Sequence, residues 1–267
     1  LFLAHHAPHT PIEAKPAEVR HFAARLKPGL QHQNAVYAAM VKNLDDNVGR
    51  VLDHLRVRGL EENTIVMFTS DNGGYIGVDQ KSGQTVPVTS NAPLRSGKGA
   101  LYEGGIRVPL LVRWPGVAAL NTECHEPVML ADLFPTLLGA AATDGAAAPD
   151  RAALDALDLT PLLKNPSAQL AREALFFHYP HYYATTTPAS AIRSGDWKLL
   201  EYFEGGRREL FNLKADPSEQ IDLAGREPAR VAALQARLSA WRKEVGAQLP
   251  TPNPAFKGKS NSPQETK

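Results

Sequence analysis

A short β-branched apolar segment that stops abruptly at two oxygen-bearing side chains constrains this chain most. Residues 64–70 form the segment, and Asp71, Asn72 and two glycines follow directly. Its length and composition predict a strand. Ligands bind at the carboxyl ends of strands in α/β sheets, and carboxylate and amide oxygens suit Ca²⁺ or Mg²⁺. The pair therefore predicts a metal site, with an ordinary Asn-Gly turn as the alternative.

The flanking sequence alternates between strand-like and helix-like segments. Residues 1–4 and 108–113 are short apolar runs and predict strands, the first of them buried. Residues 34–58 and 127–141 carry apolar positions at helical spacing and predict helices. Residues 12–33 are interrupted by proline and are expected to be irregular. The alternation predicts an α/β fold with a mostly parallel sheet.

The sequence changes in character further along the chain. An Ala/Gly-rich stretch at residues 141–151 predicts a linker, and short alternating segments from Glu173 predict a small antiparallel sheet. Residues 228–245 predict a C-terminal amphipathic helix. Its expected buried face consists of Val231, Leu234, Leu238, Trp241 and Val245.

Domain boundaries follow from these changes. We expect a first domain over residues 1–165 and a small α+β domain over residues 166–250. The polar tail at residues 251–267 is expected to be disordered.

Composition excludes several classes of partner. The 267 residues are 43% hydrophobic and carry a formal net charge of +1, so there is no general electrostatic case for nucleic acid or an acidic membrane. The longest apolar runs are too short to cross a bilayer. The single cysteine, Cys124, excludes an internal disulfide and a cysteine-rich zinc site.

Two further stretches could carry chemistry. Lys98 lies between two glycines, which allow a compact ammonium to enter a concave site that binds a tetrahedral oxyanion. His9 lies between two prolines, and its imidazole could donate to an anion or protonate a leaving group. A solvated surface lysine and a turn histidine bonded to backbone are the alternatives.

These stretches, in this order, resemble the type I sulfatases of the alkaline phosphatase superfamily. The resemblance rests on FLAHHAPHTP, TIVMFTSDNGG, LRSGKGALYEGGIRVPLLVRWPG and ADLFPTLLGAA, and it continues through FFHYPHY and AIRSGDWKLLEYFEGGRRELFNLKADPSEQIDLA. It implies an alkaline-phosphatase-like α/β sandwich, here partial, followed by the sulfatase C-terminal domain. It favours a periplasmic or secreted location.

The resemblance also implies residue roles. Asp71 and Asn72 match calcium ligands of the family, Mg²⁺ being less favoured. Lys98 matches the lysine that binds the sulfate group and stabilises the leaving oxygen. His9 matches the histidine that contacts the ester and can protonate the leaving alcohol.

One family feature is missing from this sequence. Sulfatases use a formylglycine made within a Cys/Ser-x-Pro/Ala-x-Arg motif, and Cys124 lies in Glu-Cys-His-Glu-Pro instead. The upstream aspartate ligands also have no counterpart. The simplest interpretation is the C-terminal part of a sulfatase, with the formylglycine expected only upstream and this chain inactive alone.

The substrate prediction is a sulfated carbohydrate or aryl compound. His178 and His181 lie in an aromatic run of the second domain and are candidates for substrate contact, with strand-end packing as the alternative. The sequence leaves two alternative functions open. One is a phosphatase or phosphodiesterase of the same superfamily, and the other is a non-catalytic anion- or carbohydrate-binding relative.

Overall fold

The chain folds into two compact units, each assembled from separate stretches of sequence. A computed structural model describes residues 1–141 and 154–255. The first unit comprises Leu1–Asp46, Asn72–Val108 and Glu173–Lys267, and the second comprises Asn47–Asp71 and Pro109–Arg172. Most of the predicted linker, from residue 142, and the tail from residue 256 lie outside the described residues. The predicted domain boundary at residue 165 stays a prediction.

Helices and strands alternate through the first half, and strands dominate the second. The described helices are α1 (Pro16–Ala23), α2 (Ala35–Val57), α3 (Glu103–Ile106), α4 (Leu133–Ala141), α5 (Thr160–Lys164) and α6 (Pro228–Glu244). The described strands are β1 (Val66–Thr69), β2 (Leu110–Arg113), β3 (Leu175–Tyr179), β4 (Ala189–Ser194), β5 (Trp197–Tyr202) and β6 (Arg208–Asn212).

Helix α2 confirms the helix predicted over residues 34–58, and local chemistry sets both of its ends. The Asn34 side chain accepts a hydrogen bond from the Tyr37 amide at 2.9 Å, which caps the first turn. Gly59 follows the last turn with φ of +66°, and the Leu60 amide donates back to the Leu55 carbonyl. Among the residues described, no helix has the length and apolar character needed to cross a bilayer.

Strands β1 and β2 confirm the two strands predicted around residues 64–70 and 108–113, but they pair antiparallel. Val66 lies opposite Arg113, and Thr69 lies opposite Leu110. The prediction of parallel neighbours is therefore wrong for this pair. In a parallel pair, the connection carries the chain back so that the second strand starts beside the start of the first. Here the last residue of β1, Thr69, lies opposite the first residue of β2, Leu110.

Two predictions near the start of the chain are also wrong. Residues 1–4 do not form a buried strand: Leu1 and Phe2 are exposed, and no described strand pairs with them. Residues 12–33 are not wholly irregular, because they contain α1. This helix begins with Pro16 at its first turn and has only eight residues, which is too short for a helical spacing to stand out from the surrounding sequence.

The predicted small antiparallel sheet is confirmed, in the order β3-β4-β5-β6. Alternation along each strand divides it into two packed faces. One face carries Ala191, Leu200 and Phe211, which pack against residues 100–102. The opposite face carries Ile192, Leu199 and Leu210, which pack against helix α6.

Helix α6 confirms the predicted C-terminal helix, with one exception on its buried face. Leu234 and Leu238 are buried, and Val231 and Trp241 pack against the same cluster. Val245 is wrongly predicted as buried. It is 52% exposed, and the helix ends one residue before it, at Glu244.

The Glu201 carboxylate on β5 provides a pH-dependent link to α6. It accepts hydrogen bonds from Arg242 at 2.6 Å and Gln235 at 2.8 Å, and from Arg208 at 3.3 Å. Burial alone raises the pKa of this carboxyl, but the Arg242 hydrogen bond and the other partners outweigh it. The pKa is therefore lowered from its ordinary value of 4.5.

A Glu201→Gln variant should be less stable than the parent chain at neutral pH, by about 1–3 kcal/mol, because a charge-assisted bond is lost. A lowered folded-state pKa contributes stability above about pH 4.5 and loses it as pH falls through the folded value. The gap should therefore close below that pH in urea titrations at stepped pH. Glu13→Gln, an exposed carboxylate, is the control. A gap that is the same at pH 7 and pH 3.5 would contradict this account.

Candidate active site

The loop that carries Lys98 is fixed through its backbone. The Lys98 amide donates to the Gly74 carbonyl at 3.1 Å, and its carbonyl accepts a hydrogen bond from the Thr185 hydroxyl at 2.7 Å. The Gly73 amide donates to the Gly105 carbonyl at 2.9 Å. These bonds hold Lys98 against residues that follow β1 and against the segment before β4.

Glycines in this loop are required by close backbone packing. A Cβ atom on Gly73 would lie 1.8 Å from the Gly104 carbonyl oxygen. A Cβ atom on Gly104 would lie 2.4 Å from the carbonyl oxygens of both Arg95 and Ser96. Since backbone atoms cannot move aside as a flexible side chain can, these positions accept only glycine.

His9 and Lys98, which lie 89 positions apart in sequence, meet at this loop. The Lys98 Nζ atom lies 3.1 Å from the His9 Nε2 atom. The His9 Nδ1 atom lies 2.8 Å from the Thr10 carbonyl oxygen, so Nδ1 carries the proton and Nε2 accepts from the ammonium. The structure therefore brings together two of the three stretches that sequence analysis singled out.

This pair is suited to an oxyanion. An ammonium has three N–H donors, and the bond to His9 uses one of them. Lys98 is half-buried and His9 is exposed, so the pair faces a surface that an anion can reach. A bound anion would neutralise the ammonium and accept hydrogen bonds from its remaining N–H groups.

Asp71 and Asn72 supply part of a calcium shell at most. The Asp71 side chain is exposed, and the Asn72 amide nitrogen donates to the Gly73 carbonyl at 2.9 Å. Their oxygens suit a hard cation, but Ca²⁺ takes six to eight oxygen ligands. Within residues 1–141 and 154–255, no group of three or more His, Cys, Asp or Glu side chains is placed to hold a metal. The metal role of this pair stays a prediction.

The two histidines predicted to contact substrate differ in their surroundings. His178 lies on β3, its Nδ1 atom 2.7 Å from the Ser190 hydroxyl and its Nε2 atom 2.8 Å from the Gln248 carbonyl. Both ring nitrogens are thus engaged within the protein, as the packing alternative expects. His181 is exposed and lies edge-on to Tyr179. Their substrate role stays a prediction.

Sequence analysis missed the side chains that support the Lys98 loop. The Tyr183 ring covers Gly99, where a Cβ atom would lie 2.2 Å from the Tyr183 Cδ1 atom. Buried beneath the loop, Lys198 lies 3.1 Å from Glu103 and 2.8 Å from Glu219. Burial raises the pKa of Glu219, although the Lys198 ammonium acts in the opposite direction. The period-two pattern of β5 was the available signal, since it places Lys198 on the same face as Leu200.

Two families match overlapping parts of the chain. The family described as Sulfatase matches residues 1–143, which is more than half of the chain. The chain belongs to the sulfatase family. A second family, described as N-sulphoglucosamine sulphohydrolase, C-terminal, matches residues 97–244, so the two matches overlap on the Lys98 loop.

Similar proteins cover most of this sulfatase chain. A sulfatase from Formosa agariphila is 32% identical over 261 residues, covering 90% of this chain and 45% of the relative. The crystal structure of Ps i-CgsB matches with a TM-score of 0.71 and 30% identity, covering 90% of this chain and 49% of that one. It is also solved in complex with k-i-k-neocarrahexaose.

A structure of BT4656 in complex with its substrate D-glucosamine-2-N,6-O-disulfate matches with a TM-score of 0.62 and 27% identity, covering 79% of this chain and 40% of that one. These neighbours confirm the predicted fold class, an alkaline-phosphatase-like α/β architecture followed by a small α+β part. The chain spans about half the length of the relatives it matches.

A Gly104→Ala variant tests the backbone packing of the Lys98 loop. The added methyl group meets two carbonyl oxygens, so we expect a loss of about 2 kcal/mol or more in unfolding free energy. Urea denaturation measures it. Gly225→Ala in the same unit is the matched control, because no atom lies within 4 Å of its Cβ position, and its effect should stay within about 0.5 kcal/mol. Equal stability of the two variants would contradict the packing argument.

Proposed function

We propose that this chain supplies the sulfate-binding lysine and the proton-donating histidine of a sulfatase that hydrolyses sulfate esters of carbohydrates. The observation that carries the proposal is the 3.1 Å contact between Lys98 Nζ and His9 Nε2. Membership of the sulfatase family supplies the reaction class. The saccharide class is supported by two similar structures, whose bound molecules are a neocarrahexaose and a disulfated glucosamine.

In this proposal Lys98 binds the sulfate group. Its ammonium donates hydrogen bonds to the sulfate oxygens and stabilises the charge that grows on the bridging oxygen as the S–O bond breaks. The glycines on either side let the loop pack closely, because a Cβ atom on Gly97 would lie 2.4 Å from the Gly74 carbonyl oxygen. The bonds from Lys98 to Gly74 and Thr185 fix the main chain, so little reorganisation accompanies binding.

His9 has the complementary role of proton donor. Its Nδ1–H is held by the Thr10 carbonyl, which directs Nε2 towards Lys98 and the bound ester. When His9 is an imidazolium, both of its ring nitrogens carry protons. The Nε2 proton then passes to the leaving alcohol oxygen as the S–O bond breaks, which leaves the ring as a neutral imidazole with its proton on Nδ1. His9 thereby releases the sugar as a neutral alcohol.

Asp71 and Asn72, consecutive in the chain, would hold Ca²⁺ through a carboxylate and an amide oxygen. When bound, the ion supplies positive charge beside the sulfate group. The donor chemistry fits a hard cation, and the remaining ligands and the formylglycine nucleophile are proposed to come from outside this chain. We propose a periplasmic or secreted location for the complete enzyme, on family resemblance alone.

A Lys98→Ala variant should weaken the binding of D-glucosamine 6-sulfate. Loss of a charge-assisted bond worth about 1.5–3 kcal/mol corresponds to roughly 10- to 100-fold in Kd. Isothermal titration calorimetry on the 267-residue chain measures this. Lys81→Ala, which removes an exposed lysine of the same unit, should bind within about twofold of the parent chain. Equal affinity of both variants would refute the anion role of Lys98.

The chain purified alone should not turn over 4-nitrophenyl sulfate, with or without added Ca²⁺. The reason is chemical, since its sequence contains no Cys/Ser-x-Pro/Ala-x-Arg motif from which formylglycine could be made. Release of 4-nitrophenol is followed at 400 nm. Turnover that is abolished by Lys98→Ala would contradict this expectation and would require a different nucleophile.

A further inference from the structure

Glu219 occupies an unusual position beneath the Lys98 loop. It lies in the turn between β6 and α6, is fully buried, and has φ of +53°. A residue other than glycine, asparagine or aspartate seldom adopts this left-handed conformation. Its contacts explain what holds it there.

Glu219 bonds to both ends of the segment that carries Lys98. Its main-chain carbonyl accepts a hydrogen bond from the Arg95 guanidinium at 2.9 Å, and its carboxylate accepts one from the Glu103 amide at 2.6 Å. Lys98 lies between Arg95 and Glu103. A single residue from the C-terminal part of the chain thus fixes both boundaries of this glycine-containing segment.

Lys198 compensates the buried negative charge of the Glu219 carboxylate. Its ammonium, which is also fully buried, lies 2.8 Å from one Glu219 oxygen and 3.1 Å from a Glu103 oxygen. Because Lys198 is part of β5, the sheet fixes the position of the positive charge, and Glu219 is fixed in turn.

We propose that Glu219, held by Lys198, is a positioning residue that fixes the Lys98 loop for anion binding. This inference rests on the proposed function, because it gives Lys98 a ligand. We call the bonds from Glu219 to Arg95 and to Glu103 the Glu219 clamp. Without this clamp, a lysine between two glycines would sample many backbone conformations, and binding an anion would cost the entropy of ordering them. The clamp removes that cost before the anion arrives.

Three variants of the 267-residue chain test the proposal. Glu219→Gly removes the carboxylate and also relieves the left-handed strain, which favours a folded variant. Glu219→Gln keeps an oxygen acceptor for the Glu103 amide. Glu201→Ala is the matched control. Glu201 is a buried, ion-paired carboxylate on β5, and its described partners are Arg208, Gln235 and Arg242.

Amide hydrogen exchange, measured by NMR, shows whether the Glu219 clamp protects the amides of the Lys98 loop. In Glu219→Gly, exchange of the amides of Lys98, Glu103 and Gly104 should rise about 10-fold or more, while β4 and β5 amides change by less than about threefold. Glu219→Gln should restore most of the protection, and Glu201→Ala should leave the loop unchanged. Equal acceleration in the loop and the sheet would overturn the clamp, as would unchanged loop exchange.

Titration with inorganic sulfate tests whether the Glu219 clamp affects anion binding. We expect Glu219→Gly to raise the sulfate Kd about 10-fold, with Glu201→Ala within about twofold of the parent. Sulfate affinity equal to the parent's in Glu219→Gly would overturn the positioning role. If the parent chain does not bind sulfate while loop exchange responds as expected, the clamp stands and the proposed function fails.

Discussion

The buried ammonium of Lys198 is the constraint on which the organisation of the first unit depends. Removing a charge from water costs several kcal/mol, so the ion must be compensated inside the protein. Glu103 and Glu219 compensate it, and Arg193 lies 3.7 Å from the second Glu103 oxygen. Glu103 lies in α3 and Glu219 in the turn after β6, while Arg193, which pairs with Glu103, lies in β4. Their mutual register is therefore set by charge as well as by apolar packing.

The elements that were predictable from sequence are those whose local pattern and tertiary role agree. Helix α2 has both an apolar spacing and capping residues, and β1 is a β-branched run ended by polar residues. Helix α1 was not predicted because its eight residues are too few for an apolar spacing to stand out. Val245 fits the helical spacing, yet spacing cannot show that the helix has already ended.

The candidate site was predictable in part for a related reason. Lys98 and His9 stand in unusual local sequences, between glycines and between prolines, and such sequences are visible without a structure. Lys198 and Glu219 stand in ordinary sequences. A charged side chain in a short strand or turn is usually solvated, so sequence reasoning places it at the surface. For Lys198 the alternation of β5 was a weak signal, and the three-dimensional pairing shows that both charges are interior.

Tight backbone packing explains why support for Lys98 comes from the C-terminal part of the chain. Gly73 and Gly104 pack so closely against neighbouring backbone that neither position can carry a side chain. Stabilising groups must therefore reach the loop from another direction, and Thr185, Lys198 and Glu219 do so. The antiparallel sheet and the turn after it are then part of the framework of the Lys98 loop. Because hydrogen bonds and charge connect the two regions, we expect substitutions in the interior of the C-terminal part to alter the conformation of this loop.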